Sequence, residues 1–345
     1  MRKWLKITIP CLLLAVGAVV CILRWQAWFG MPAEPRWNGE TIDYVFPSPI
    51  TRNEVNRALA AENDQSPITN DQSPITNDQS PITNDADSVL TILVLGDIHS
   101  QLTRADYDTL AARVPQADAV AQVGDWMERG QDYYYQLLLR EWTNSRLYGL
   151  PVIVTPGNHE YSKGVDKTLS PVWEHAFPHP HNGPVGVPGA SYYEDLPGVR
   201  FICIDTNPLV RLVHLTRTLT WLRDAMNKAD GRFVVVMMHH PVLSVGKGRA
   251  NVLVYSAFRH TLADADLVLA GHDHSYMRRT PFVLLNTAGK PKPQKYHYTP
   301  DTAFVEPVYG VIQISNLKSQ ISNLQFNVYR FNDNTLIDSL HVSHD

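Results

Sequence analysis

The stretch Leu93-Val94-Leu95-Gly96-Asp97-Ile98-His99 sets the terms for the rest of the chain: an apolar run stops abruptly at a carboxylate and an imidazole. Val89 to Leu95 is short, rich in β-branched residues and almost wholly apolar. Such a run reads as a buried parallel strand. Gly96 lets the chain turn, which puts Asp97 and His99 just past the strand's carboxyl end, the edge where open α/β sheets bind ligands. The same event recurs four times. Val120–Val123 runs into Gly124-Asp125, and Val152–Thr155 leads to Gly157-Asn158-His159-Glu160. Phe233–Met238 ends at His239-His240, and Leu267–Ala270 meets Gly271-His272-Asp273-His274.

Asp97, His99, Asp125, Asn158, His239, His272 and His274 offer hard oxygens and borderline imidazole nitrogens, and no thiolate. That mixture suits Zn²⁺, Mn²⁺ or Fe better than Mg²⁺ or Ca²⁺ alone. The set exceeds what one tetrahedral ion needs and would serve two ions sharing a carboxylate, with Asp125, midway in the order, as the expected bridge. Two close ions can clamp a phosphate oxygen and deprotonate a water.

The series Gly96-Asp97-x-His99, Gly124-Asp125, Gly157-Asn158-His159-Glu160, His239 and Gly271-His272-x-His274 resembles the calcineurin-like metallophosphoesterase family, over about Ser88 to the C-terminus. Tyr192–Asp195 before Val199–Asp205, and Asp266–Tyr276, are similar to its exported, purple-acid-phosphatase-like branch. The resemblance implies one metal held by Asp97, His99, Asp125 and His274, and a second by Asp125, Asn158, His239 and His272. His159 would then protonate the leaving alkoxide or steady the phosphoryl oxygens, oriented by a nearby carboxylate. Purple acid phosphatases place a ferric-ligating Tyr where Glu128 stands here, so no purple colour is expected. Gly124-Asp125-Trp126-Met127-Glu128-Arg129-Gly130 is instead similar to the serine/threonine protein phosphatase motif, which makes Arg129 a candidate phosphate clamp.

Helical patterns at Thr103–Arg113, Asp132–Leu147, Thr218–Lys228 and Val252–Leu262 alternate with the strands, which gives a layered α/β fold. The chain ends in a strand-only meander at Tyr309–Ser315, Leu324–Phe331 and Leu336–Val342, with a near-duplicated loop at Ile314–Gln325. Together with the resemblance, this predicts a metallophosphoesterase-type sandwich of two mixed β-sheets flanked by helices over residues 88–345. Phe177–Gly189 reads as a long loop beside the site. Tyr133–Tyr135 read as helix packing, Cys203 as a buried hydrophobe and His260 as structural, whereas His240, following a proposed ligand, is a further candidate to face the pocket.

Residues 1–29 place Arg2, Lys3 and Lys6 before an apolar run from Ile7 to Leu23, followed by Trp25, Trp28 and Phe29. This pattern fits a membrane anchor with a cytoplasmic N-terminus, so that the lipid bilayer is an expected partner. A cleaved signal peptide is the competing reading. Either places the domain on the extracytoplasmic side. Residues 30–87 contain three tandem copies of the heptad that begins at Asn63, each with a Pro that forbids a continuous helix. They read as a solvated low-complexity linker. A formal net charge of −4 and the lack of a Lys/Arg run point away from a nucleic-acid groove.

The expected function is hydrolysis of phosphate esters by attack of metal-bound hydroxide, most simply of monoesters. Alternatives with the same site are a phosphodiesterase acting on nucleotides or lipid headgroups, and a non-catalytic metal-binding domain.

Overall fold

Two β-sheets, one of six strands and one of seven, pack face to face and place the carboxyl ends of their parallel strands along one edge. The structure is a computed structural model that describes residues 89–344 except 131, 162–167, 188–189, 210–213, 247–251, 295–298 and 316–321. The N-terminal segment, the heptad linker and part of the duplicated loop therefore lie outside the described residues. Among the described residues no helix is long and apolar enough to cross a membrane.

The first sheet has the order β13-β12-β11-β1-β2-β3. Strands β1 (Leu90–Leu95), β2 (Ala119–Gln122) and β3 (Val152–Val154) run parallel. Strands β11 (Val308–Ser315), β12 (Ser322–Arg330) and β13 (Leu336–His344) are the expected antiparallel meander, joined to β1 through β11. The second sheet has the order β10-β8-β9-β7-β6-β5-β4. In it β5 (Val199–Ile204), β6 (Phe233–Met238) and β7 (Leu267–Ala270) are parallel, and β4 (Tyr192–Leu196) pairs antiparallel with β5. The short strands β8 (Tyr276–Arg279), β9 (Phe282–Leu284) and β10 (Thr302–Phe304) complete it.

The period of two along each strand divides the core. Ile92 and Val94 of β1 face Phe201, Cys203, Val235 and Met237 between the sheets. Leu93 and Leu95 point the other way, toward Tyr107, Leu110 and Trp142 on helices α1 (Arg104–Arg113) and α2 (Asp132–Thr143). On the far side, Ile202 and Val236 pack under Leu222 of α4 (Leu215–Asn227) and Phe258 of α5 (Val252–Leu262). A short helix α3 (Pro171–Ala176), which sequence periodicity did not reveal, adds Trp173 to the first outer layer. Helix α1 starts where the pattern places it because Thr103 and Asp106 form a capping box. Helix α2 ends at Thr143, four residues short of the predicted Leu147, and Asn144 caps it by donating to the Arg140 carbonyl at 2.7 Å. Tyr135 is fully buried and Tyr134 packs against the same core, so both serve packing.

Polar ties stitch the sheets at both flanks. The Tyr192 hydroxyl on β4 accepts from Val154 N–H at 3.0 Å and donates to the Val154 carbonyl at 2.9 Å. On the other flank, Arg278 of β8 pairs with Asp338 of β13 through two nitrogens at 2.7 and 3.0 Å. The loop at 177–187 packs over β4 and α4, where Asn182 bonds Tyr193 and Trp221.

Because Phe201 is 0% exposed between the sheets, Phe201→Ala is expected to cost about 3–5 kcal/mol in denaturant unfolding. Val185→Ala, at a residue 92% exposed, should fall within about 0.5 kcal/mol of the parent. Equal effects of the two would contradict the layering.

Candidate metal centre

The loops beyond β1, β2, β6 and β7 converge at the common edge on an unusual backbone. Asp97, His99, Asp125, His272 and His274 all have positive φ, between 48° and 73°, and make up five of the nine such non-glycine residues described. A left-handed conformation costs an L-residue roughly 1–2 kcal/mol, so its concentration here needs compensation by other interactions. The loops interlock to supply it. Ile98 and His99 N–H both donate to the Asp125 carbonyl at 2.9 Å, and His272 N–H donates to Asp97 Oδ1 at 2.9 Å.

Buried Glu160 is the clamp that sequence reasoning left without a role. Its carboxylate accepts from the backbone N–H groups of Asp125, Gly157 and Met127 at 2.9, 2.6 and 3.0 Å. This fastens the β3 loop to the β2 loop. A signal was present in the sequence: an acid directly after the Gly157-Asn158-His159 turn. Gly157 is required for a different reason, since a Cβ there would lie 2.2 Å from Asp125 Oδ1.

The side chains then close in from both sheets. His99 Nε2 lies 3.0 Å from His274 Nε2 and 3.6 Å from Asp125 Oδ2, while His274 Nε2 is 3.9 Å from Asp97 Oδ1. On the other side of Asp125, His239 Nε2 lies 3.1 Å from Asp125 Oδ2, 3.3 Å from Asn158 Oδ1 and 3.2 Å from His272 Nδ1. Besides a rim group of His99, Glu128 and His159, two groups overlap: Asp97, His99, Asp125 and His274, and Asp125, His239 and His272, each with ligand atoms within 4.8 Å of one another. Asp125 belongs to both.

The arrangement suits cations. His239 Nδ1–H donates to the Val123 carbonyl at 3.0 Å, and His274 Nδ1–H donates to the Lys290 carbonyl at 2.7 Å. These bonds turn the Nε2 lone pairs inward, the usual outer support of a ligating imidazole. Asp97 Oδ2 is buried with no hydrogen-bond partner among the described residues. Acceptors converge, and few donors meet them. The donor set therefore fits metal cations, with Asp125 common to both groups.

The electrostatics carry the same signature. Burial, aided by the charge of Asp125, raises the Asp97 carboxyl to about 7. Burial acts to lower His239, yet the charge and hydrogen bond of Asp125, with Asp97 and Glu160, carry it up to about 9. His99 is lowered to about 3, by burial first and by its neighbouring imidazoles, with Asp125 opposing. Asp125 stays well below the usual carboxylate range because His239, His159 and His99 outweigh its burial. In the metal-free protein, protons on Asp97 and His239 thus take the place of positive charge.

His159 stands at the rim, 29% exposed, with Nε2 3.9 Å from Asp125 Oδ2. The expected orienting carboxylate is not what fixes its ring: Nδ1–H donates to the backbone carbonyl of Glu128. The Glu128 carboxylate lies near both imidazoles, with Oε2 3.3 Å from His99 Nδ1. Arg129 is half-buried in the same loop. The His240 ring lies 4.4 Å from that of His272, and its Nδ1 bonds the buried Thr206 hydroxyl at 2.8 Å. Exposed His260 instead lies beside Arg259 on α5.

Residues 90–276 match the model of the calcineurin-like phosphoesterase family, and the chain belongs to that family. Its fold is similar to that of a purple acid phosphatase from yellow lupin (Lupinus luteus) seeds, with a TM-score of 0.53 at 13% identity. That match covers 75% of this chain and 54% of the lupin protein, so the chain spans about half the length of that relative. It is also similar in fold to GAP50, the anchor in the inner membrane complex of Plasmodium, with a TM-score of 0.50 at 15% identity over 74% of this chain and 89% of that one. No curated protein sequence is significantly similar to it.

The shifted groups set a pH dependence for the metal-free protein. His239, raised from 6.5 to about 9, and Asp97, raised from 3.8 to about 7, each favour the folded state when protonated. That stability is present at low pH and is lost as pH rises through the raised values. His99, lowered from 6.5 to about 3, opposes this only below 6.5. The melting temperature of metal-free protein should therefore fall between pH 6.5 and 9, and saturating Mn²⁺ should flatten the fall. A flat metal-free profile over that range would contradict the assignment.

Proposed function

We propose that the protein is a dinuclear metal-dependent phosphoesterase, and that it hydrolyses phosphomonoesters. The observation that carries this reading is the pair of ligand groups sharing Asp125 at the joint edge of both sheets, in a chain of the calcineurin-like phosphoesterase family. Asp97, His99, Asp125 and His274 would hold one ion, and Asp125, Asn158, His239 and His272 the other. Zn²⁺, Mn²⁺ and Fe suit the nitrogen and oxygen donors. When bound, the pair would supply Lewis-acid charge to a phosphoryl oxygen and make water acidic enough to be a nucleophile near neutral pH.

The chain's own groups supply the rest. With Nδ1–H committed to the Glu128 carbonyl, His159 presents Nε2 to the site, placed to carry a proton to the departing alkoxide. Arg129, on the loop between Asp125 and the β3 motif, would grip the phosphate through two N–H donors. A monoester presents more negative charge than a diester, and a phosphate grip by Arg129 would favour it. The apolar N-terminal segment would anchor the domain to a lipid bilayer on its extracytoplasmic side.

The direct test is turnover by protein stripped of metal, reloaded with Mn²⁺, Zn²⁺ or Fe, and offered p-nitrophenyl phosphate beside bis-p-nitrophenyl phosphate. Metal-dependent hydrolysis that favours the monoester is expected. His159→Ala should lower kcat by about 10²–10⁴-fold with metal content unchanged. Preference for the diester would move the reading to a phosphodiesterase, and absence of turnover with two metals bound would sink both.

A further inference from the structure

The loop after β9 carries a cation into the ligand cluster. Thr287 N–H donates to the Gly96 carbonyl at 2.7 Å, and the Thr287 hydroxyl accepts from Gly96 N–H at 3.0 Å. A Cβ on Gly289 would lie 2.9 Å from His274 Nδ1 and 3.0 Å from the Asp97 carbonyl, so this loop presses directly on the ligand loops. At its far end Gln294 donates to the Asp273 carbonyl at 3.3 Å and forms a bridge with Gly246. Between these fixed points runs Lys290-Pro291-Lys292-Pro293. The Lys290 carbonyl holds His274 Nδ1–H, and the prolines stiffen the backbone on each side of Lys292.

The Lys292 ammonium donates to His274 Nε2 at 2.7 Å and to the His272 carbonyl at 3.3 Å. His274 Nε2 is the nitrogen assigned above to a metal. Its single lone pair can serve an ammonium or a metal ion, not both. When an ion takes it, Lys292 must turn away on its four-carbon stem while the prolines keep its Cα beside the cluster. The anion then within reach is the phosphate group of a bound ester.

We propose that Lys292 is a substrate-contacting residue: its ammonium rests on His274 in the metal-free protein, yields that nitrogen to the metal, and then binds a phosphoryl oxygen of the ester. The proposal rests on the phosphoesterase reading for the identity of the anion. It assigns to this loop a role that no motif in the sequence marks.

Two titrations of the full chain test it, comparing the parent with Lys292→Met, which keeps the stem and removes the charge. By calorimetry without phosphate, Mn²⁺ should bind one of its two sites about tenfold more tightly in Lys292→Met, because the competing charged hydrogen bond is gone. Inorganic phosphate should bind the Mn²⁺-loaded variant about tenfold more weakly than the loaded parent. Lys292→Arg, which keeps a phosphate-binding charge, should hold phosphate within about threefold of the parent. An unchanged affinity of Lys292→Met in either titration overturns the proposal. Loaded parent that binds no phosphate at all overturns the phosphoesterase reading itself.

Discussion

The buried carboxylate of Asp125 is the point on which the molecule turns. His239, His99 and His159 all approach it from different segments of the chain, and its neighbour Asp97 keeps one buried oxygen without a hydrogen-bond partner among the described residues. Bringing so many acceptors out of water is unfavourable unless positive charge joins them. Without metal, protonated His239 and Asp97 meet that demand in part. Two cations would meet it fully, and would also offset the left-handed backbone at the ligand positions. Folding and metal binding are in this sense one energetic problem.

The sandwich exists to make that convergence possible. Three strands of one sheet and two of the other end at the same edge, and each delivers its ligands within one to four residues of its last paired position. The loops could not hold such positions on their own. Glu160 fastens the β2 and β3 turns, and Asp273, between two ligands, accepts from Ser244, Val245 and Gly246 at 2.8, 2.6 and 2.9 Å. Thr155 crosses between the sheets beside the site by donating to the Ile204 carbonyl at 3.1 Å. Glu160 accepts from backbone N–H groups alone and Asp273 Oδ2 from two of them and a hydroxyl, which holds the loops of the site in place.

Much of this was legible in the sequence because the strong signals are local. A continuously apolar run such as Phe233–Met238 must be buried on both faces, and its abrupt end at His239 marks the functional edge. The strands β8, β9 and β10 escaped because each is only three or four residues long, and Tyr276–Arg279 and Thr302–Phe304 are half-polar besides. Glu128 shows the limit of motif reading: its position was recognised, but only the folded chain shows its carbonyl holding His159 and its carboxylate facing His99. Lys292 was invisible for the same reason. It lies in a proline-rich loop without a motif, and acquires meaning only where that loop crosses His274.

The central claim is that the two ligand groups form one centre through Asp125, and counting bound metal tests it most directly. After loading with Mn²⁺ and dialysis, elemental analysis of the parent should give two ions per chain, and Asp125→Ala should lose both, since each group depends on that carboxylate. Two ions retained in Asp125→Ala, or none bound by the parent, would contradict the shared centre.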